Sequence, residues 1–363
     1  MTLAKPKYAT LMRYARMLGF GEIHTKVDSS TGLHAIIAIH STTLGPALGG
    51  CRYAAYPSPE HALEDALRLA YGMTLKASVC GLSQGGGKAV IIKPPGNSDR
   101  TALFKSFGDF VNTLNGRYIT AVDLGSNIDD MCVIFERTPY VCGAKGPGRV
   151  DEDPSHSTGQ GVFCAMQAAI EFLWRRKDFS ELHVVVQGVG HAGYHVVKNL
   201  VAHNARVSIA DINQDAIKKC VDEFNVTVID PAQVEKTPCD IFSPCALGGT
   251  ITHDFIVNTK AKIIAGTANN QLSHHNNAET MRARGILYLP DFVINSGGLI
   301  NAATTYRYQD LSKINAAVNK IYDITLNILE RGQKDGKTTT RVAEEIAFER
   351  LRNVRKQKNY EHT

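Results

Sequence analysis

Apolar and polar positions change period several times along the chain, and each change marks an element. The stretch to residue 30 reads as helix and turn, and His34 to His40 (His-Ala-Ile-Ile-Ala-Ile-His) predicts a buried strand. A helix opens at Ser58-Pro59, with serine as N-cap and proline at the first helical position. Within it Ala62, Ala66, Leu69 and Met73 recur at helical spacing, and Lys76 takes the next place on that face. Ala89 to Ile92 predicts a buried strand, Thr101 to Leu114 an amphipathic helix, and Tyr118 to Val122 a short strand. Further on, Thr158 to Trp174 carries Val162, Met166, Ala169 and Leu173 on one side of a helix. Strands are expected at Leu182–Val186 and Arg206–Ala210, with a helix from Tyr194 to His203 between them. More short strands follow at Val226–Ile229, Asp240–Ser243, Lys262–Ala265 and Ile286–Tyr288. Strands alternating with helices make a parallel sheet with right-handed crossovers. A long helix from Ile314 to Glu330, a break at Gly332–Gly336 and a last helix from Thr340 to about Arg355 complete the pattern.

Punctuation divides this pattern in two. Gly45-Pro46 and Gly49-Gly50 read as bends, and Gly85-Gly86-Gly87 as a sharp turn that lets the backbone approach a ligand. Gly143, Gly146, Pro147, Gly148 and Pro154 change the texture, so a domain boundary is expected there. The fold class that results is α/β in two domains. An N-terminal α/β domain spans residues 1–147, and a Rossmann-type, doubly wound domain spans 148–334. The C-terminal helix, 335–363, is expected to pack back on the first domain.

Composition alters this picture little. The 363 residues are 44% apolar and 21% charged, and the net charge is +5 (40 minus 35), too mild to argue for nucleic acid. The basic stretch from Arg350 to Lys358 reads as a helix C-terminus with cations set against the dipole. Eight cysteines without a C-x-x-C pair suggest free thiols in a reducing cytoplasm. The first ten residues lack the apolar core of a signal peptide, and no apolar run approaches the ~18 residues needed to cross a bilayer. A cytoplasmic protein without a membrane or nucleic-acid partner is expected. His274-His275 has no partners at ligand spacing and reads as surface, so no metal is expected.

Two stretches carry candidate chemistry. In the first, Lys76 and Lys88 stand twelve positions apart (88 minus 76), one on an apolar helix face and one between three glycines and a buried strand. Two cations in a half-buried pocket suit a carboxylate ligand, and one can serve as a neutral amine base. Alternatively, Lys76 snorkels from a helix end and the glycines only make a turn. Gly81-Leu82-Ser83-Gln84-Gly85 fits G-x-S-x-G but has its helix before and its strand after, the reverse of a nucleophile elbow. Asp123 ends a strand ahead of Gly125, where it either faces a cleft or caps the next helix.

In the second stretch, a strand runs into Gly188-Val189-Gly190-His191-Ala192-Gly193, a G-x-G-x-x-G with a helix after it and Asp211 23 positions beyond Gly188 (211 minus 188). Glycines there admit a pyrophosphate to a helix N-terminus, and an acid at the end of the next strand accepts the ribose hydroxyls while repelling a 2'-phosphate. NAD is the cofactor expected. Candidate cofactor contacts are Gly188, Val189, Gly190, Ala192, Gly193, Asp211 and Ile212, with Cys245, Ala246 and Asn269 on later strand-end loops.

With these stretches in view, the chain resembles the glutamate/leucine/phenylalanine/valine dehydrogenase family, over about Thr42 to Ala302. The resemblance rests on Thr42–Gly50, Gly72-Met73-Thr74-Leu75-Lys76, Gly85-Gly86-Gly87-Lys88, Tyr118–Asp123, the Gly188 fingerprint, Ala265–Asn270 and Pro290–Asn295. It implies that Lys76 holds the substrate carboxylate and the attacking water, that Lys88 is the base and that Asp123 is its acidic partner. It implies that Asn270 binds substrate or nicotinamide, that Thr158 touches the cofactor, and that Leu48, Gly49, Met73, Ala121, Leu299 and Ala302 line the substrate pocket. The reaction implied is NAD-dependent oxidative deamination of an apolar L-amino acid to a 2-oxo acid and ammonia, and its reverse, in a homo-oligomer of up to eight chains. A cleft between the domains, hinged at Gly143–Gly148, would close for hydride transfer. An aromatic substrate and a nucleotide-binding regulator without turnover are the alternatives. Val122, His156-Ser157, Gly159-Gln160, Leu299, Ala302 and Thr304-Thr305 depart from the pattern of the leucine enzymes.

Overall fold

The computed structural model describes residues 15–96, 99–145 and 153–361, the last three without their side chains. It divides into two compact units. The first takes in the described part of Met1–Asp151 with Ala302–Leu311 and the chain from Ala347; the second takes in that of Glu152–Asn301 with Ser312–Ile346. The expected boundary and hinge fall partly on residues 146–152, outside the described residues. Residues 302–311 belong to the first unit and 335–346 to the second, each on the other side from the division expected.

Among the described residues the first unit is built on a five-stranded sheet in the order β1-β2-β4-β3-β5. The strands are β1 (Glu22–Asp28), β2 (Leu33–Ser41), β3 (Ala47–Ala54), β4 (Gly85–Ile92) and β5 (Tyr118–Val122). β1 and β4 run antiparallel to β2, whereas β3 runs parallel to both β4 and β5. Helix α1 (Pro59–Val79) packs on one face through Ala62, Ala66, Leu67 and Ala70 against Ile36, Ala38 and Val90. On the other face α2 (Arg100–Asn112) and α3 (Ile128–Phe135) enclose a core of Ile37, Ile39, Phe104, Phe107, Tyr118 and Ile134.

Several expectations are corrected here. Glu22–Asp28 is a strand, not helix or turn: it is polar because it lies at the sheet edge and pairs only with β2. Gly49-Gly50 and Gly85–Gly87 lie inside β3 and β4 rather than in bends. What requires glycine there is the closeness of other backbone. A Cβ on Gly49 would stand 1.7 Å from the Gly87 oxygen, and one on Gly86 would stand 2.1 Å from the Thr74 nitrogen in α1. The serine expected to cap α1 sits at the N-cap, but its hydroxyl pairs with His61 Nδ1 at 2.9 Å and makes no cap bond.

Among the described residues the second unit carries a six-stranded parallel sheet, ordered β11-β10-β9-β6-β7-β8. Its strands are β6 (His183–Gln187), β7 (Arg206–Ala210), β8 (Thr227–Val228), β9 (Ile241–Pro244), β10 (Ile263–Ile264) and β11 (Leu287–Tyr288). The order reverses at β6, and the loops after β6 and β9 meet at that switch point, where α/β sheets bind ligands beyond the strand ends. Helices α4 (Pro154–Trp174) and α5 (His191–Ala202) pack together there. The single helix expected from Ile314 to Glu330 is two, Leu311–Asn319 and Ile321–Asp335, and the second ends at Gly336 in the left-handed region.

The last helix, Thr339–Glu361, returns to the first unit from Ala347 on. Ser78 Oγ donates to the Ala347 oxygen at 2.7 Å, and Arg350 donates to the oxygens of Ala77, Ser78 and Leu82. Arg350 therefore serves the C-terminus of α1, whose carbonyls carry the negative end of the helix dipole. Arg355 and Lys358 bond to Thr43. The cations of this stretch thus act on other elements, not only on their own helix end.

Candidate active site

In the first unit the end of α1, the start of β4 and the end of β5 come together. The buried stripe of α1 runs through Ala62, Ala66, Ala70 and Thr74, so Leu69, Met73 and Lys76 lie on its half-buried flank instead of on the core face expected. Lys76 is half-buried and occupies the last turn of the helix.

Lys88 is buried, 6% exposed, in β4 opposite Ala38. Its Nζ donates to Asp123 Oδ2 at 2.5 Å. Asp123 pairs with Lys88 and does not cap the next helix. The cap of α3 is Asn127, whose side chain accepts from the Asp130 nitrogen. Asp123 is held by its own turn: its N–H donates to Ser126 Oγ at 2.9 Å, and that hydroxyl donates to the Cys51 oxygen at 2.7 Å. Gly50 makes room for it, since a Cβ there would come within 2.7 Å of Asp123 Cβ.

Arg52, two residues beyond Gly50 on β3, joins this cluster, and the sequence pattern does not single it out. Its Nε donates to the same Asp123 Oδ2 at 3.3 Å, and its Nη1 donates to Asp65 Oδ2 at 2.8 Å. Tyr56 Oη and Arg68 Nη2 also donate to Asp65, at 2.8 and 2.9 Å. Burial alone would raise the Asp123 carboxyl, but the charges of Lys88 and Arg52 outweigh it and hold the group below its ordinary range. Burial likewise works against the Asp65 carboxylate and is overcome by Tyr56, Arg52 and Arg68. A lone cation in a glycine-flanked buried strand is the only sequence signal for Arg52.

Of the other candidates in this unit, Leu48 is buried beside Gly86 and Ile119, Gly49 pairs with Thr120, and the half-buried Ala121 pairs with Gly50. Tyr118 Oη donates to the Gly49 oxygen at 2.6 Å and fixes that strand end. Ala302 is half-buried and its oxygen lies 3.6 Å from Cys142 Sγ. Val122 is 39% exposed.

In the second unit the three fingerprint glycines have three different surroundings. Gly188 has φ +96 and would place a Cβ 2.7 Å from Ala246, whereas one on Gly193 would strike the Gly188 oxygen at 2.1 Å. Gly190, at the N-cap of α5, has nothing within 4 Å of that position. Two glycines are thus demanded by packing, and the third leaves an open approach to a helix N-terminus, where a pyrophosphate fits. Asp211 Oδ2 accepts from the Val189 nitrogen at 2.7 Å, and Oδ1 accepts from that of Asn213 at 2.9 Å. Each carboxylate oxygen keeps a lone pair for another donor. Ile212, 89% exposed, follows it. Val189 is buried, Ala192 half-buried and Ala246 exposed.

The β9 and β10 loops are tied to this edge. Cys245 donates its N–H to the Gln187 oxygen at 2.7 Å, and its Sγ accepts from the Thr267 nitrogen at 3.4 Å. Burial pushes the Cys245 thiol up. Asn269 Oδ1 accepts from Asn295 Nδ2 at 2.9 Å, and Asn270, at φ +53, borders an open cavity of about 230 Å³ with Gln271, His275 and Asp291. Thr158 Oγ1 donates to the Pro154 oxygen at 2.9 Å within α4, and Leu299 is half-buried.

The departures near Thr158 have packing reasons. A methyl at Gly159 would meet His195 Cβ at 2.5 Å, so this glycine goes with the His195 side chain. His156 packs edge-on to His195, Ser157 Oγ accepts from Asn301, and Gln160 bonds to Asn199 and Asn319.

Residues 20–140 match the Glu/Leu/Phe/Val dehydrogenase dimerisation domain, and residues 207–358 match the Glutamate/Leucine/Phenylalanine/Valine dehydrogenase model. The chain belongs to the Glu/Leu/Phe/Val dehydrogenase family. It is 40% identical to the leucine dehydrogenase of Bacillus cereus over 95% of this chain and 94% of that one. It is 38% identical to the phenylalanine dehydrogenase of Bacillus thermotolerans over 93% and 89%. The crystal structure of L-tryptophan dehydrogenase from Nostoc punctiforme matches at a TM-score of 0.84 and 37% identity, over 95% and 99%. The protein is an amino-acid dehydrogenase, an oxidoreductase using a nicotinamide cofactor on its Rossmann-type unit. Among the described residues, no helix is long and apolar enough to cross a membrane, and no three His, Cys, Asp or Glu gather to hold a metal ion.

Proposed function

We propose that the protein oxidises an apolar L-amino acid, of the leucine type, to its 2-oxo acid and ammonia with NAD, and runs the reverse reductive amination. The observation that carries the reading is the buried Lys88 at 2.5 Å from Asp123, beside the helix end that bears Lys76. Lys76 binds the substrate carboxylate and orients the attacking water. Lys88, as the amine, takes a proton from that water at Nζ and becomes an ammonium facing Asp123; that proton passes to the departing amine, and Nζ then takes the hydroxyl proton as the carbonyl forms and releases it to solvent. Asp123 balances the charge that develops during the attack. When bound, the cofactor supplies the hydride acceptor; Gly188, Val189, Gly190, Ala192, Gly193, Asp211, Ile212, Cys245, Ala246, Asn269 and Thr158 would hold it. Leu48, Gly49, Met73, Ala121, Asn270, Leu299 and Ala302 are proposed to bind the substrate. The experiment is cofactor reduction, followed by absorbance, across a panel of L-amino acids. No reduction with any apolar member would overturn the proposal.

NAD is preferred to NADP in this reading because the Asp211 carboxylate would face a 2'-phosphate. Asp211→Ala is expected to raise KM for NAD about tenfold or more, the loss of one charge-assisted pair, and to narrow the ratio of NADP to NAD KM. An unchanged ratio would remove Asp211 from the ribose site. The aromatic reading keeps its support in the similar identities to leucine, phenylalanine and tryptophan enzymes. Eight free cysteines support a reducing, cytoplasmic setting, and the match to a dimerisation domain supports a homo-oligomer, octameric or smaller.

A further inference from the structure

The Lys88–Asp123 pair does not stand alone. Asp123 Oδ2 accepts from Lys88 Nζ at 2.5 Å and from Arg52 Nε at 3.3 Å, two cations on one oxygen. Arg52 is itself half-buried and fastened at its other end to Asp65, which Tyr56 and Arg68 hold in turn. A guanidinium is suited to this bridge, because it is planar, keeps its charge at every working pH and donates along two directions at once.

The bridge matters when Lys88 changes its charge. With Lys88 as an ammonium, Asp123 has two cations; with Lys88 as an amine, it has Arg52 alone. Without a fixed cation, a carboxylate 2.5 Å from a proton-carrying nitrogen in a half-buried site competes for that proton. We propose that Arg52 is a positioning residue for the reaction: tethered by Asp65, it holds the Asp123 carboxylate in place as an anion through the cycle, so that the proton Lys88 takes from water stays on nitrogen until it leaves with the amine. This rests on the roles given to Lys88 and Asp123 above. The proton balance closes: Nζ takes the first proton from water and gives it to the leaving nitrogen, then takes the hydroxyl proton as the carbonyl forms and releases it to solvent, and neither Asp123 nor Arg52 gains or loses one.

Among the described residues, the charged and titratable groups near Asp123 fix the sign; Tyr118, on β5, is buried and its hydroxyl pushed up, so it stays neutral. Lys88 faces it from β4 and Arg52 from β3; behind Arg52 stand Asp65, Arg68 and Tyr56. Cys51, also on β3, is fully buried and its thiol is pushed up by burial and by Asp123, while Asp130 and Arg100 act on it as a mutually paired couple. Removing the Arg52 charge makes the Lys88–Asp123 pair bind its proton more readily. The deprotonated, working form then appears only at higher pH.

The test compares wild type, Arg52→Gln, Arg52→Lys and Lys88→Ala as full chains, with the best apolar amino acid and NAD, from acid to alkaline pH. For Arg52→Gln we expect kcat to fall about tenfold or more, and the acid limb of the pH profile to move up by about one unit, the equivalent of one lost charge contact. KM for NAD should hold, because the fingerprint is untouched. Arg52→Lys restores charge but not the two-ended bridge, so it should return the acid limb toward wild type while kcat stays low. If Arg52→Gln loses thermal stability but keeps the wild-type pH profile, Arg52 is structural only and the inference fails. It fails equally if Arg52→Gln keeps the wild-type kcat. If instead Lys88→Ala turns over normally, the underlying assignment of the base fails, whatever the Arg52 variants do.

Discussion

Lys88→Ala is expected to abolish turnover while the protein still folds and still binds its dinucleotide. General bases contribute about 10²–10⁴-fold, and among the described residues Lys88 is the amine paired with Asp123. The loss should appear in kcat more than in KM, because Lys76, proposed to bind the carboxylate, stands on a separate element. Folding should survive for a stated reason. The variant leaves the Asp123 carboxylate with Arg52, the Leu124 backbone N–H and 22% side-chain exposure, so its charge is not stranded in a dry interior. Dinucleotide binding is read by fluorescence titration and turnover by cofactor reduction under the same conditions. A variant that binds NAD and turns over within a few-fold of wild type would transfer the role of base to another group. A variant that no longer binds NAD would show instead that Lys88 is a structural residue whose removal disturbs both units.

How much of this is legible in the sequence depends on the range of the interactions. Strands β5 to β7 and helix α4 stand out because local period and local punctuation agree there. The fingerprint is legible for the same reason: its strand, loop and helix are consecutive, and Asp211 lies one crossover away. Gly49, Gly50 and Gly85–Gly87 read as bends because glycine is a turn former in isolation. Their place in strands follows from backbone packing between β3, β4 and α1, which no local window contains. The expected apolar stripe of α1 misses the true one by a fraction of a turn, because alanine signals burial weakly and the core face is mostly alanine. Arg52 escapes a local reading because its partners Asp65 and Asp123 lie 13 and 71 positions away. Lys88 and Asp123 are legible one by one, yet their pairing is not derivable from spacing; the order of strands brings β4 and β5 to either side of β3 and so sets the two side chains facing.

Glutamate is expected to be a poor substrate, at least a hundredfold below the best apolar amino acid in kcat/KM, on the order of 3 kcal/mol by the arithmetic of rates. The reason lies in the residues proposed to surround the substrate side chain. Leu48 stands in β3 just before Gly49-Gly50. It is 1% exposed and neighbours Gly86 and Ile119. Met73, Ala121, Leu299 and Ala302 likewise carry no charge. A carboxylate set among such groups loses its hydration and gains no partner, a penalty of several kcal/mol for one ion. An aliphatic side chain instead gains about 0.8 kcal/mol for each methylene it buries. Replacing Leu48 with lysine should narrow the gap from both sides, by pairing the carboxylate and by spoiling the apolar wall, with the larger change in KM. The measurement is kcat/KM for leucine, phenylalanine and glutamate, on wild type and Leu48→Lys under one set of conditions. Glutamate equal to the best apolar substrate on the wild-type enzyme would refute the pocket. Phenylalanine ahead of leucine would keep the pocket and assign its spare volume, where Ala302 and Leu299 stand, to an aromatic ring.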